Sequence, residues 1–221
     1  MRKIFTGVAA AAVFAFSANA QVLTFEGIAV GPAQTAIGNY YNGTGGAANN
    51  FGITFFGNAL ALNSTAFGCG GSGNFAQQPS GCGVLFFLTG GSTGMNRTAG
   101  FTTGFSLFYS AVNNAGSLQV WSGLNGTGSI LASLALPVTP SAGGAACGGT
   151  AFCPFVAAGV GFAGMAQSIV FAGVADQIAF DNVTFGAVTP GGVIPEPSTY
   201  ALMATGLVGL FGAARRRRSQ N

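Results

Sequence analysis

Side chains that could carry out acid–base, nucleophilic or metal chemistry are scarce in this chain. Its 221 residues include no histidine, which excludes a Ser-His or Cys-His catalytic pair and an imidazole metal ligand. Between residues 21 and 194 the acidic side chains are Glu26, Asp176 and Asp181. Paired carboxylates could serve a glycosidase, but Asp176 lies in a predicted turn, where an aspartate usually bonds its own backbone. The sequence therefore predicts that the protein is not an enzyme.

Two of these carboxylates, Glu26 and Asp181, could instead share a cation. Glu26 ends the first predicted strand, and Asp181 lies in the last one, where a slip in the apolar alternation at Asp181-Asn182 predicts a β-bulge. The first and last strands of a jelly roll often lie side by side, which would bring the two carboxylates together. Carboxylate, amide and carbonyl oxygens are the ligands of Ca²⁺. Two interpretations stay open, a structural Ca²⁺ site at Glu26 and Asp181, or a solvated Glu26 and an Asp181 that bonds backbone.

Three aromatic residues are candidates for stacking on sugar rings. Trp121 is out of step with Leu118 and Val120, which places it on the solvent face of its predicted strand. Tyr40 and Tyr41 stand in a loop rich in glycine and asparagine, and exposed rings beside amides suit neutral glycans. The alternative is that Trp121 packs under a loop and the tyrosines fill the edge of the sheet.

The elements that would position these residues are strands. Period-2 alternation runs from Phe101 to Ala111 and again from Ile130 to Leu136. The turn dipeptide Asn125-Gly126 predicts a hairpin between residues 117–122 and 129–136. Further strands are predicted at residues 23–27, 51–55, 84–88, 168–171 and 177–185. Because no segment of the body shows a helical stripe, the sequence predicts an all-β fold, a single β-sandwich of the jelly-roll kind.

Residues 1–20 have the form of a secretory signal peptide. Basic residues open the segment, an apolar run continues from Ile4 to Phe16, and Ala18-Asn19-Ala20 is a small-x-small cleavage site. We expect signal peptidase to cut after Ala20, so that the mature chain begins at Gln21.

The other end of the chain combines three features in a fixed order. In Pro195-Glu196-Pro197, each proline disfavours helix in the residue before it, so the motif is extended and accessible. An uncharged run from Tyr200 to Ala214 follows, and four arginines come next, Arg215, Arg216, Arg217 and Arg218. A helix over this run would be about 22 Å long, short for a bilayer core of about 30 Å. The arginines are expected to stay cytoplasmic by the positive-inside rule.

This combination resembles the PEP-CTERM sorting signal of Gram-negative bacteria. The resemblance covers residues 193–218 and implies that an exosortase in the membrane recognises Pro195-Glu196-Pro197 and removes the hydrophobic helix. The protein would be anchored transiently in the inner membrane and then released or attached at the cell surface. We therefore expect a signal peptide at 1–20, a β-sandwich body at 21–192 and a sorting signal at 193–218.

Four cysteines, Cys69, Cys82, Cys147 and Cys153, form an even set in the body. In an exported protein such a set typically forms disulfides, and the spacings without any histidine fit zinc patterns poorly. Four cysteines allow three pairings. The pairing of neighbours would close two glycine-rich loops, each worth about 2–3 kcal/mol in the chain-entropy model.

The net charge of +3 describes the two targeting segments, since six of the seven basic residues lie there. Residues 21–194 have one base against three acids, a net charge of −2, so a nucleic-acid partner is excluded. We predict a non-enzymatic protein of the cell surface or extracellular matrix that associates with exopolysaccharide. The alternative is a carbohydrate-binding β-sandwich module with a structural Ca²⁺.

Overall fold

The computed structural model describes residues 20–191. The predicted cleavage residue Ala18, the motif Pro195-Glu196-Pro197 and the arginines 215–218 lie outside the described residues. Within residues 20–191, no helix has both the length and the hydrophobicity that crossing a membrane requires.

Ten β-strands and four short 3₁₀ helices form the described body. All of the strand pairs are antiparallel. The strands are β1 (Gln21–Leu23), β2 (Thr35–Ala36), β3 (Ile53–Gly57), β4 (Leu60–Asn63), β5 (Gly83–Phe86), β6 (Ser92–Ser110), β7 (Gly116–Trp121), β8 (Ile130–Leu136), β9 (Val156–Ala172) and β10 (Ala179–Phe185).

The long strands β6 and β9 connect two halves of one hydrogen-bonded sheet. They pair along most of their length, with register shifts between Asn96 and Thr103 of β6. Before the shifts β6 pairs with β3, and after them it pairs with β10. β7 and β8 extend the first half beyond β9, whereas β5, β4 and β2 extend the second half beyond β10.

The two halves face each other across a core rich in phenylalanine, which we call the inner core. Phe171 of β9 lies in the half that contains β7, and its ring centroid is 4.9 Å from that of Phe180 on β10, in the other half. Phe105 of β6 lies 6.1 Å from Phe171 and 5.5 Å from Phe185 by the same measure. All four rings are fully or almost fully buried. The predicted all-β class and the sandwich are therefore confirmed.

Local sequence patterns account for several strands. The alternation that begins at Phe101 forms the second half of β6, and the predicted hairpin is the β7–β8 pair. The predicted bulge is present, since the β10–β6 register shifts between Asp181 and Thr184 and Asn182 has a φ of 47°. The strand predicted at residues 168–171 was too short, because β9 begins at Val156. Its first half is rich in glycine and alanine, and pairing with β6 overrides their weak strand propensity.

A second apolar cluster lies on the other face of β4, β5 and β10. Along β5, Leu85 belongs to the inner core, whereas Val84 and Phe86 belong to this second cluster. That two-sided burial explains why residues 84–88 are apolar without alternation. Loop residues Phe75 and Phe155 complete the cluster.

Candidate functional site

Glu26 and Asp181 both bind residues 80–83, the segment that leads into β5 and includes its first residue. The backbone N–H groups of Cys82 and Gly83 donate to Glu26 Oε1, at 2.9 and 2.7 Å. The Ser80 N–H donates to Asp181 Oδ2 at 2.8 Å. The pairing of β1 with β10 places Asp181 beside the segment that follows β1. The predicted first strand, residues 23–27, ends earlier than expected, since β1 stops at Leu23 and Glu26 lies in the turn after it. The two carboxylates thus fasten residues 80–83 to this turn and to β10.

These contacts bear on the predicted Ca²⁺ site. Asp181 Oδ1 also accepts the Asn182 N–H at 2.6 Å, so both oxygens of Asp181 and one of Glu26 face N–H donors. A cation at those oxygens would face the positive ends of the same N–H groups. Among the residues that the structure describes, no three His, Cys, Asp or Glu side chains converge as a metal site would require. The contacts favour the interpretation in which Asp181 bonds backbone, and Ca²⁺ binding stays a prediction.

Asp181 is 0% exposed, and burial raises the pKa of its carboxyl to about 7. Hydrogen bonds from Ser80 and Asn182 act in the opposite direction and lower this pKa, while the nearby Glu26 carboxylate raises it. The Ser80 hydroxyl lies 2.7 Å from Asp181 Oδ1 and 3.0 Å from the Thr24 carbonyl oxygen, and its one hydrogen can donate to only one of them. Protonated Asp181 can donate to Ser80 Oγ while Ser80 donates to Thr24. Both contacts are then satisfied as hydrogen bonds.

The structure places the two tyrosines differently from the stacking hypothesis. Tyr41 is 2% exposed, accepts a hydrogen bond from the Phe25 N–H at 2.8 Å and packs its ring on that of Phe51. Its burial contradicts the predicted exposure. The side chain points into the core because its hydroxyl accepts the N–H of Phe25, in the turn after β1, where Phe25 has a φ of 60°. Tyr40 is half-buried, and its hydroxyl donates to the Glu26 carbonyl oxygen at 3.2 Å. Both residues fill the edge of the sandwich, as the alternative described.

Trp121 lies at the end of β7, half-buried, opposite to the buried Leu118 and Val120 as the alternation indicates. A Cβ added at Gly126 would lie 3.9 Å from Trp121 Nε1, so the turn that contains Gly126 closes over the indole. Within residues 20–191 this Nε1 is buried without a hydrogen-bond partner. The position matches packing under a loop, and stacking of Trp121 on a glycan stays a prediction.

The four cysteines form two disulfides, Cys69–Cys82 and Cys147–Cys153, which is the pairing of neighbours along the chain. Disulfide formation was expected from the sequence and is confirmed. Ala76 of the first closed loop and Ala66, which precedes that loop, form one small buried cluster with Cys147 and Cys153 of the second. Two loops that are far apart in sequence therefore share a core.

Backbone contacts also join these loops, a feature that sequence reasoning missed. The Ala76 N–H donates to the Phe152 carbonyl oxygen, and the Phe152 N–H donates to that of Asn74, both at 3.1 Å. The Ala151 N–H donates to Asn74 Oδ1 at 2.9 Å. We call residues 64–82 and 139–155 together the outer cover. It lies over the second apolar cluster, to which it contributes Phe75, Phe152 and Phe155.

Comparison with known families addresses the C-terminal segment. The family model of the PEP-CTERM protein-sorting motif matches residues 193–218. The chain carries a PEP-CTERM sorting signal. This signal indicates export, a transient membrane anchor and exosortase processing to the cell surface, so the resemblance to the PEP-CTERM signal and the location expected from it are confirmed.

The body resembles several solved structures at low sequence identity. No curated protein matches the sequence. Two cleaved adhesin domains of Lys-gingipain from Porphyromonas gingivalis match at 11% and 15% identity, with TM-scores of 0.43 and 0.40, over 76% and 77% of this chain and 98% and 100% of theirs. A carbohydrate-binding module of Cellvibrio mixtus lichenase 5A, in complex with cellotriose, matches at 13% identity, with a TM-score of 0.33, over 57% of this chain and 95% of its own.

Proposed function

We propose that the processed PEP-CTERM protein is a non-enzymatic surface protein that associates with extracellular polysaccharide. The observation that carries the proposal is the near absence of charge from the body surface. Residues 20–191 contain four charged side chains, and Asp176 alone among them is exposed. Asp181 is buried, whereas Glu26 and Arg97 are half-buried. A surface of amides, hydroxyls and apolar groups suits a neutral hydrated polymer and offers little to a polyanion.

The surroundings of the carboxylates support a non-enzymatic role. A retaining or inverting glycosidase needs one carboxyl as a proton donor and a second carboxylate open to the substrate. Glu26 and Asp181 instead use oxygens to hold the backbone of residues 80–83. Asp176 is exposed, but it is a single acidic group. The hydrolase alternative predicts loss of turnover in Glu26→Gln or Asp181→Asn, and we expect no turnover in the unaltered protein.

A second candidate function is a carbohydrate-binding module with one defined sugar site. A small cleft beneath the outer cover, lined by apolar and amide side chains, favours it. The Ca²⁺ that this alternative included has a direct test. If the ion is structural, a chelator lowers the melting temperature of the purified protein; an unchanged melting temperature would rule it out.

Fractionation of the producing cells tests the association with polysaccharide. We expect the processed protein to sediment with the exopolysaccharide of the culture and to be released when that polysaccharide is degraded enzymatically. A soluble neutral glucan should compete for the protein, whereas a sulfated polyanion should not. Processed protein that stays free in the medium, while the polysaccharide sediments without it, would contradict the proposal.

A sorting variant provides the matched control. Replacement of Pro195, Glu196 and Pro197 by alanine leaves the body unchanged and should keep the full-length protein in the membrane fraction. Mass spectrometry of the C-terminus then separates a failure of processing from a failure of binding.

A further inference from the structure

A cleft of about 170 Å³ opens between the outer cover and the outer face of β4, β5 and β10. Its apolar floor is formed by Leu62, Phe75, Val84, Phe86, Phe152 and Ala179. Its polar lining residues are Asn74, Asp176 and Gln177. At about 30 Å³ for each water molecule, the space suits several waters or one small ring, and it is below the roughly 300–1,000 Å³ of drug-sized sites.

We infer that this cleft binds one neutral sugar ring of a polysaccharide, with the aromatic floor against the ring and the polar residues on its hydroxyls. The inference rests on the proposed function and locates its binding site. It differs from the stacking hypothesis for Tyr40, Tyr41 and Trp121, none of which lines the cleft.

The side-chain amides of Asn74 and Gln177 are oriented by the hydrogen bonds that their oxygens accept. Asn74 Oδ1 accepts the Ala151 N–H at 2.9 Å, which fixes the orientation of the amide. Gln177 Oε1 accepts N–H groups from Asn113 Nδ2 at 3.1 Å and Asn114 Nδ2 at 3.5 Å. In the part of the chain that the structure describes, the Asn74 Nδ2 and Gln177 Nε2 atoms have no hydrogen-bond partner. Both NH₂ groups are therefore available to a ligand.

Asp176 supplies an acceptor beside these donors. Its φ is 60°, a backbone conformation that is uncommon for a residue other than glycine, and its N–H donates to the Phe87 carbonyl oxygen at 2.8 Å. That bond holds the turn in place, and the exposed Asp176 is one of the residues that line the cleft. Two donors and one acceptor are a suitable set for the hydroxyl groups of a sugar, which both donate and accept.

The aromatic floor of the cleft and the charge of its lining favour a neutral sugar over an acidic one. Phe75 and Phe86 are buried, and Phe152 is half-buried. The C–H faces of a sugar ring pack on aromatic surface of this kind. The lining contains no basic residue, and its one charged group is the Asp176 carboxylate. An acidic sugar would meet repulsion there and find no cation.

Both disulfides contribute to the site. Asn74 and Phe75 lie in the loop that Cys69–Cys82 closes, and Phe152 lies in the loop that Cys147–Cys153 closes. These loops bond each other through the Asn74 and Phe152 backbones. Reduction of the disulfides should therefore weaken ligand binding before it unfolds the sandwich.

Nuclear magnetic resonance of the processed ¹⁵N-labelled protein tests the inference. The probes are neutral tetrasaccharides of glucose, mannose and galactose, with a galacturonic acid tetrasaccharide as the acidic counterpart. We expect at least one neutral probe to shift the side-chain NH₂ signals of Asn74 and Gln177, and the acidic probe to leave them unchanged.

The decisive variant is Gln177→Glu, which keeps the acceptor for Asn113 and Asn114 but removes the NH₂ donor and adds a charge. It should weaken binding of the neutral probe about tenfold or more, as expected for a lost hydrogen bond of about 1.4 kcal/mol. The control Gln34→Glu makes the same change at an exposed residue outside the cleft lining and should leave binding intact.

The outcomes separate the site from the function. Saccharide binding that Gln177→Glu does not weaken, with shifted signals elsewhere, overturns the cleft site and leaves polysaccharide association standing. A lack of binding by every neutral probe also overturns the cleft site, and the fractionation experiment then decides the function by itself. Stronger binding of the acidic probe would overturn the assignment to a neutral sugar.

Discussion

The inner core and the outer cover are stabilised in different ways. The inner core is built from paired strands, and its side chains include the buried rings of Phe105, Phe171, Phe180 and Phe185. The outer cover is largely irregular and glycine-rich, and two disulfides close its loops. Burial of apolar area can hold the first region in any compartment, whereas the second depends on an oxidising one.

This difference links the location of the protein to its proposed binding site. The sorting signal directs the protein to the cell surface, outside the reducing cytoplasm. The disulfides that form there hold the two loops over β4, β5 and β10, and the cleft lies beneath them. The sandwich can thus fold by burial, and the cleft is complete only once both loops are closed.

The largest effect should come from a cavity in the inner core. Phe180→Ala removes a ring that is 0% exposed and packed against Phe171, and it should lower the free energy of unfolding by about 3–5 kcal/mol. Urea denaturation measures the change. The control Phe67→Ala alters a ring in the outer cover that is 69% exposed and should change stability by less than about 0.5 kcal/mol. Equal losses in the two variants would break the distinction between the regions.

The disulfides should have a smaller effect that is confined to the outer cover. In the chain-entropy model, removal of Cys69–Cys82 by paired Cys→Ala changes costs about 3 kcal/mol and removal of Cys147–Cys153 about 2 kcal/mol. Hydrogen exchange should quicken at the Ala76 and Phe152 amides, which bond across the cover.

Protection of the Leu107 amide in β6 serves as the internal control for these disulfide variants. It should stay near its original value, since β6 pairs along most of its length and Leu107 is buried in the inner core. Equal loss of protection at Leu107 and at Ala76 would show that core and cover unfold as one unit.

The smallest change in the free energy of unfolding, expressed per pH unit, should come from the titration of Asp181, which lies between the two regions. Burial raises its pKa from 3.8 to about 7, so the folded protein binds a proton that the unfolded chain has lost in this range. The stability from this group is complete below about pH 4 and is lost as the pH rises towards 7, by at most about 1.4 kcal/mol per unit.

Asp181→Asn should remove this pH dependence, as thermal unfolding between pH 4 and 8 would show. Glu26 and Tyr41 are the other titratable groups that act on Asp181 or are acted on by it, and Glu26→Gln serves as the control. A slope that persists in Asp181→Asn would show that Asp181 is not the group responsible for the pH dependence.

Local patterns predicted the parts of the fold in which neighbouring residues decide the structure. The alternation from Phe101 onward, the turn at Asn125-Gly126 and the slip at Asp181 are each visible within about ten residues, and the structure contains all three. The first half of β9 has no such pattern. Glycine and alanine occupy many of its positions, and its strand conformation follows from pairing with β6.

The cleft could not be predicted because its residues meet only through the fold. Asn74 and Phe152 belong to different loops, and Gln177 lies in a third segment before β10. A weak signal was present, since each glycine-rich cysteine loop contains a phenylalanine that an exposed loop does not need. The carboxylate arrangement was easier to anticipate, because β1 pairs with β10, so Glu26 shortly after β1 and Asp181 in β10 reach the same neighbouring segment.

The position of β10 within the sheet has a mechanical consequence. The chain leaves β10 after Phe185 and continues towards the sorting signal, and β10 is flanked by β6 on one side and by β1 and β5 on the other. A pull on the C-terminal end, while the body is held by a polymer, reaches β10 through residues 186–191, which fold back so that the Gly191 N–H donates to Thr184 Oγ1. Because β10 is paired on both sides, its release requires the loss of hydrogen bonds to β1, β5 and β6, whereas an edge strand would lose the bonds to one neighbour.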